Sequence, residues 1–291
     1  MKTTLLLVLR LALLTVLYFI LFAVFSALLI PRVPQELTPA EQANVLLALV
    51  TVSFLNTCVL SYLILRSRLA GMKLALTVFL FFFGTAIVMP QIETAVFVTQ
   101  LPPGMLSRII LSGFLLALVF SFAAVPILGK HKGQIENESH PALNLNQWLT
   151  RLTLIGLCYV VIYFTFGYFI AWQSPAVRAY YHGTDPGTFM AQLRSVFRET
   201  PWLFVLQFIR GVVWALIALP IIRTLQGRRW EIGLAIALGF AMCTSSQLLI
   251  PNPLMPAAVR MAHLLETSTS NFLFGWLIVL LLKNKPASNE R

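Results

Sequence analysis

The chain is poor in charge: Asp, Glu, Lys and Arg make up only 11% of its 291 residues. A soluble domain ordinarily carries about 25% charged residues. Apolar residues account for 58% of the chain, and its mean hydropathy is +0.84. This composition excludes a soluble globular protein, a disordered protein and a secreted disulfide scaffold. It predicts an integral membrane protein.

Cysteine and acidic residues are also scarce. Cys58, Cys158 and Cys243 each lie inside an apolar run and form no Cys-x-x-Cys pair, which indicates small core residues and not a disulfide framework. Ten acidic residues oppose 21 basic ones, for a net charge of +11. In a soluble protein this surplus would suggest nucleic-acid binding. Here the basic residues lie in short clusters between apolar runs, so the predicted partner is the lipid bilayer, not nucleic acid.

Long apolar runs account for most of the chain. A helix needs about 20 apolar residues to cross the hydrocarbon core of a bilayer. Eight segments reach that length, so we predict an all-α, polytopic integral membrane protein with eight transmembrane helices. The first is predicted to be a retained anchor and not a signal peptide, because it contains Arg10 and no small-residue cleavage motif. The predicted spans are residues 5–30, 43–65, 73–98, 106–129, 150–172, 202–223, 231–250 and 257–283.

The basic residues divide unequally between the two sides of the predicted membrane. With the N-terminus inside, the inner side carries 14 of the 21 Lys and Arg residues but only four of the ten Asp and Glu residues. An excess of Lys and Arg marks cytoplasmic loops. We therefore predict a multi-pass protein of the plasma (cytoplasmic) membrane with both termini in the cytoplasm.

The chain is predicted to consist of two four-helix halves, residues 1–129 and 150–291, joined by a cytoplasmic loop at 130–149. Thr38-Pro39 recurs as Thr200-Pro201, and Glu93-Thr94 has a counterpart in Glu266-Thr267. Four spans per half would make the repeat parallel, with its axis along the membrane normal. The alternative is a chance match between leucine-rich helices. Residues of the first span that recur 141 positions later are Arg10, Leu11, Leu13, Tyr18 and Phe25, matched by Arg151, Leu152, Leu154, Tyr159 and Phe166.

An amphipathic segment is predicted near residues 185–199, between the fifth and sixth spans. Arg194 and Arg198 share one helical face, whereas an apolar face carries Phe189, Leu193, Val196 and Phe197. Such a helix lies in the membrane interface with its apolar face toward the lipid. A helix that binds a partner protein is the alternative.

Arg210 is predicted to lie inside the membrane. It follows Trp202 by eight residues, about 12 Å along a helix. An arginine at the centre of a span costs about 2.5–3.5 kcal/mol on the insertion scale, so it needs a partner. Glu93 and Glu266 are the acids predicted within reach, and Gln207 lies one turn before Arg210. A ligand contact and a structural ion pair both remain open at this point.

The start of the eighth span is the richest polar segment. Arg260, His263 and Glu266 step by three residues and so form one row on a helix, and Asn271 continues the polar character into the span. Prolines just before this segment predict irregular backbone, which membranes tolerate only where it is buried or borders a cavity. We predict one outward-facing cavity that accepts a zwitterionic or weakly anionic ligand and responds to external pH. Its predicted ligand-binding residues are Arg210, Glu93, Arg260, His263, Glu266, Gln207 and Asn271.

No metal or cofactor site is predicted. His263 and Glu266 have the i, i+3 spacing of helical metal ligands, but no second histidine lies on a neighbouring span. Haem would need paired axial histidines within spans, and Gly-rich phosphate loops are missing from the sequence.

Three functions are compatible with these patterns. The first is a protein that binds or transports a small or lipid-like ligand through an outward-facing polar pocket. The second is an intramembrane enzyme acting on a lipid or prenyl substrate at the outer leaflet, with Glu93 or Glu266 as general acid or base. The third is a structural subunit of a membrane complex.

Overall fold

The computed structural model describes residues 2–31, 38–98, 101–132 and 144–283. Within these ranges, eight helical segments are long and apolar enough to cross a membrane, which confirms the predicted all-α fold with eight spans. The spans are Thr4–Leu29, Pro39–Arg66, Gly71–Phe97, Met105–Ile127, Leu145–Ala171, Trp202–Thr224, Arg229–Leu249 and Ala257–Leu282.

The α-helices are numbered in chain order. They are α1 (Lys2–Leu29), α2 (Pro39–Arg66), α3 (Gly71–Phe83), α4 (Met89–Phe97), α5 (Met105–Ile127), α6 (Leu145–Phe166), α7 (Pro175–Tyr180), α8 (Phe189–Glu199), α9 (Trp202–Thr224), α10 (Arg229–Ser245) and α11 (Ala257–Leu282). We call the end of the bundle where α1 begins and α11 finishes the proximal end, and the opposite end the distal end. The short helices α7 and α8 lie between the fifth and sixth spans, at the distal end.

The starts of the spans follow the local sequence. At α2, the Glu41 amide donates to the Thr38 hydroxyl and the Thr38 amide donates to the Glu41 carboxylate, so the two residues form a capping box. At α9 the helix begins directly after Thr200-Pro201, without a side-chain cap. At α11 it begins directly after Pro256.

Two spans contain a π-helical turn. Gly84–Val88 joins α3 to α4, and Gly167–Ala171 extends α6. In each turn the backbone bond reaches back five residues, from Met89 to Gly84 and from Trp172 to Gly167. The first turn carries the third span past Pro90 to Phe97, whereas the seventh span ends in a 3₁₀ turn at Ser246–Leu249. Glu93 thus lies on the third span and Glu266 on the eighth, so their matching dipeptides do not occupy equivalent spans.

Within each group of four spans, the first and third spans each contact both the second and the fourth. In the first half, α1 contacts α2 and α5, and α3 contacts the same two helices. In the second half, α6 and α10 each contact both α9 and α11. Between the halves, α2 packs on α10 and α3 packs on α9. One continuous hydrophobic core extends through both groups.

The loops after the second and sixth spans are joined at the proximal end. Ser67 and Leu225 form an isolated antiparallel bridge. The Arg68 amide donates to the Thr224 carbonyl at 2.8 Å, and the Gln226 amide donates to the Arg66 carbonyl at 2.9 Å. We call this paired segment, 66–68 with 224–226, the proximal bridge. Each of its two segments donates one backbone amide hydrogen bond to a carbonyl of the other.

Lysine and arginine side chains add corresponding contacts in the two halves. Lys130 donates to the Ser67 carbonyl at 2.6 Å, and Lys283 donates to the Leu225 carbonyl at 3.3 Å. Each of these lysines follows the last span of its half. The side chains at the start of the first span of each half also match: Arg10 donates to the Leu128 carbonyl at 3.2 Å and Arg151 to the Leu282 carbonyl at 3.4 Å.

Candidate functional site

Arg210 lies inside the bundle with only 4% of its surface exposed. It is held on α9, in the distal half of the sixth span, and its side chain points toward the third span. Nη1 donates to the Glu93 carboxylate and, at 2.6 Å, to the Gln207 side-chain oxygen. Nη2 donates to the Met89 carbonyl at 3.3 Å. The buried guanidinium therefore has a counterion, as its depth requires.

Glu93 connects this network to the surface of the protein. Its side chain is 31% exposed, in contrast to its buried partner. The residue lies near the distal end of the third span, on α4, beyond the π-helical turn. The ion pair thus has an open carboxylate side and a closed guanidinium side, and a group that approaches Arg210 from outside meets Glu93 first.

His263 and Glu266 form a second polar pair on α11. His263 Nδ1 lies 2.8 Å from Glu266 Oε2, and both side chains are largely buried. The other carboxylate oxygen of Glu266 faces the π-helical turn of the fifth span, where a Cβ added to Gly167 would lie 3.5 Å from it. A glycine at this position lets the α11 carboxylate approach the backbone closely.

A short segment covers this second pair at the distal end. The Tyr181 ring contacts the His263 ring edge-on at 5.7 Å, and the Tyr180 hydroxyl donates to the Leu254 carbonyl at 3.0 Å. Burial raises the pKa of the Tyr181 hydroxyl above its ordinary value, and negative charge on Tyr180, Glu93 and Glu266 acts in the same direction. The Tyr181 ring thus lies against the imidazole of the second pair.

The remaining predicted residues take other positions. Arg260 is buried and donates to the Leu248 carbonyl at 2.9 Å, so it links the start of α11 to the 3₁₀ turn at the end of the seventh span. Asn271 is buried farther along α11, more than one turn beyond Glu266. The structure thus brings together Arg210, Glu93 and Gln207 in one group and His263 with Glu266 in another, with Arg260 bonded outside both.

Sequence reasoning missed the aromatic part of the site. The Arg210 guanidinium lies 5.6 Å from the centre of the Tyr159 ring, a cation–π distance, and the Tyr159 hydroxyl accepts from the Trp214 indole at 3.3 Å. In the sequence, Tyr159 stands out only as part of a recurring motif. Its polar group inside an apolar span was the signal that could have identified it.

Several buried polar atoms in this region have no hydrogen-bond partner among the described residues. They are the donors Gln207 Nε2 and Arg210 Nε, the acceptor Gln91 Oε1, and His263 Nε2, whose role depends on the tautomer of the ring. Buried polar groups in native proteins are nearly always paired with protein or with bound molecules. The site therefore retains hydrogen-bonding capacity beyond its own ion pairs.

Within the described ranges, no group of three or more His, Cys, Asp or Glu side chains could hold a metal ion. Comparison of the chain with protein-family models, with curated proteins and with solved structures gives no match.

Proposed function

We propose that this membrane protein binds a small or lipid-like ligand at the distal polar cluster, defined as Arg210, Glu93, Gln207, His263 and Glu266. The observation that carries the proposal is the asymmetry of the Arg210–Glu93 pair. The arginine is buried, whereas nearly a third of its carboxylate partner is exposed. From the Glu93 side, the pair presents a carboxylate to a cationic or hydrogen-bond-donating group of a ligand.

The chemistry of the cluster favours a zwitterionic or polar head group. Gln207 Nε2 and His263 Nε2 have no hydrogen-bond partner in the part of the chain that the structure describes, and Glu93 offers a carboxylate to a cationic group. Tyr159 and Tyr181 supply aromatic surface beside the two ion pairs. Because the cluster lies within membrane spans, a ligand that partitions into lipid would have access to it.

A thermal-shift experiment on the purified chain in detergent tests this proposal. The probes are short-chain phosphatidylcholine, phosphatidylglycerol and a single-chain amine of equal length. We expect the phosphatidylcholine to raise the unfolding temperature of the wild type and to raise it less in Gln207→Leu. Arg66→Gln, at the proximal end, serves as the matched control and should retain the shift. Equal shifts with every probe, or an undiminished shift in Gln207→Leu, would contradict the proposal.

A second candidate function is intramembrane proton-transfer catalysis, favoured by the His263–Glu266 geometry. A carboxylate on Nδ1 orients the imidazole and leaves Nε2 as the base, which is the arrangement of a catalytic His–acid pair. The test is incubation of the purified chain with a total lipid extract, followed by mass spectrometry of the products. Catalysis requires a product that His263→Gln abolishes and that Gln192→Ala, on α8, leaves unchanged.

The proposed location is the plasma membrane, with the proximal end in the cytoplasm. The support is the excess of Lys and Arg in the proximal loops. Cysteines introduced at Lys132 and at Thr184 should react with an impermeant thiol reagent from opposite sides of the membrane. Reaction from one side only would overturn the orientation.

We also propose that the two halves are parallel repeats and that α8 lies on the membrane surface. Two pairs of equivalent hydrogen bonds support the repeat. Lys130 and Lys283 each donate to a backbone carbonyl of the proximal bridge, and Arg10 and Arg151 each donate to a carbonyl at the end of the last span of their half. Superposition of the two halves by rotation about the membrane normal tests the repeat. The position of α8 on the membrane surface is supported by its exposed Met190 and Phe197 side chains. Brominated lipids should approach these two side chains if α8 lies in the membrane interface.

A further inference from the structure

The proximal bridge fixes which residues of the second and sixth spans correspond. Ser67 pairs with Leu225, and an uninterrupted helix precedes each of them. Eleven residues before Ser67 is Asn56, and eleven residues before Leu225 is Trp214. Asn56 on α2 and Trp214 on α9 therefore occupy corresponding places in the two halves.

The same reasoning aligns the other spans around these positions. Eight residues after Arg10 is Tyr18, and eight residues after Arg151 is Tyr159. Both tyrosines are buried, and each packs against a phenylalanine of the last span of its half. Tyr18 contacts Phe120 with ring centres 5.3 Å apart, and Tyr159 contacts Phe274 at 4.7 Å. Each half thus has a buried tyrosine of its first span packed on a phenylalanine of its last span.

The two centres differ in how the tyrosine hydroxyl is satisfied. In the second half, the Trp214 indole fills the space beside Tyr159 and donates to its hydroxyl at 3.3 Å. In the first half, the smaller Asn56 stands at the corresponding place. The Tyr18 hydroxyl and Asn56 Oδ1 are both fully buried, and neither has a hydrogen-bond partner among the described residues. The asparagine side chain has fewer atoms than the indole that stands at the corresponding place in the second half.

The surroundings of Asn56 are polar and uncharged. Its Nδ2 donates to the Ser246 hydroxyl at 2.8 Å, across the boundary between the halves. Cys243, three residues before Ser246, is fully buried. On the proximal side of Asn56, Thr57 and Ser61 carry further buried hydroxyls without a described partner. An unpaired buried hydroxyl or amide costs about 1–3 kcal/mol, so several together point to a bound molecule.

We propose that the first half holds a buried water site between Tyr18 and Asn56. Water fits because it donates to Asn56 Oδ1 and bonds the Tyr18 hydroxyl in either role, and because buried waters typically make two to four such bonds. This site lies on spans one, two and seven. It is separate from the distal polar cluster, which lies on spans three, six and eight, and does not depend on the function proposed for that cluster.

Radiolytic labelling by X-ray pulses tests this proposal on the full chain in detergent, because bound water generates hydroxyl radicals beside the side chains it touches. Tyr159 is a control within the same molecule, since it is also buried but bonded to Trp214. We expect oxidation of Tyr18 to exceed that of Tyr159 several-fold. Equal and low oxidation of both tyrosines would overturn the proposal.

Substitutions at the site give an independent measurement. Asn56→Trp reproduces the arrangement of the second half and Asn56→Leu fills the space with fewer atoms, so either one that folds should bring Tyr18 oxidation down to the Tyr159 level. Tyr18→Phe should lower the unfolding temperature, because it removes a partner of the bound water. A higher or unchanged unfolding temperature in Tyr18→Phe would show that the hydroxyl was unpaired, and would overturn the proposal.

Discussion

Removing the charge of Glu93 isolates a buried guanidinium. Glu93→Gln keeps the shape of the side chain, but Arg210, 4% exposed, then has only neutral partners, Gln207 and the Met89 carbonyl. Breaking a buried ion pair costs about 3–5 kcal/mol. Because Glu93 is 31% exposed, we expect the low end, about 3 kcal/mol. At about 2–4 °C per kcal/mol, the unfolding temperature should fall by roughly 6–12 °C.

The double variant Glu93→Gln/Arg210→Met separates this pairing from unspecific damage. Removing both charges leaves no isolated guanidinium, so the loss should be smaller than the sum of the single losses by at least about 1.5 kcal/mol. Circular dichroism during thermal unfolding in detergent measures all three variants. Glu231→Gln is the matched control, since its partner Arg66 is 42% exposed and the expected loss is below about 1 kcal/mol. Single-variant losses that simply add would refute the coupling of Glu93 with Arg210.

Three further predictions concern packing, the proximal end and pH. Gly275→Ala should lower the free energy of unfolding by about 1–3 kcal/mol in thermal unfolding, because the new Cβ would lie 2.7 Å from Ala237 Cα. Gly167→Ala should lower it clearly less, because its new Cβ would lie 3.5 Å from the Glu266 carboxylate. Equal losses in the two variants would contradict this reasoning. Lys130→Met should lower stability by about 1–2 kcal/mol, since the ammonium bond to the Ser67 carbonyl is lost, whereas an exposed Lys132→Met should have no measurable effect. Because the pKa of Tyr181 is raised in the folded state, the folded protein keeps a proton that the unfolded chain loses above about pH 10. The stability that this proton contributes is therefore fully present below about pH 10 and falls above it. In unfolding midpoints measured from pH 8 to pH 11.5, Tyr181→Phe should remove part of that fall.

The spans could be predicted because their signal is local. Length and hydropathy alone identify a helix in lipid, where every backbone group must be bonded within its own segment. The capping box at Thr38 and the break at Pro256 likewise depend on a few neighbouring residues. The pairing of Arg210 with Glu93 followed from energetic necessity, since few acids were available to a buried arginine.

The rest of the site depended on information that is not local. The sequence did not indicate that Glu266 would bond to His263 on its own helix, because a row of spacing three is equally compatible with ligands on other spans. The sequence predicts Arg260 as part of the cavity, whereas in the structure it donates to the Leu248 carbonyl, across the proline-rich break. The role of Tyr159 required the packing of α6 on α9.

The π-helical turn at Gly84–Val88 determines which way the distal part of the third span faces. In a regular helix each residue advances the side-chain direction by about 100°, so one additional residue held in the turn rotates everything after it by that angle. Glu93 lies beyond the turn. Without the additional residue its carboxylate would point about a quarter-turn away from Arg210, and the arginine would be buried without a counterion. One additional residue in the turn at Gly84–Val88 thus decides whether the Glu93 carboxylate points toward Arg210.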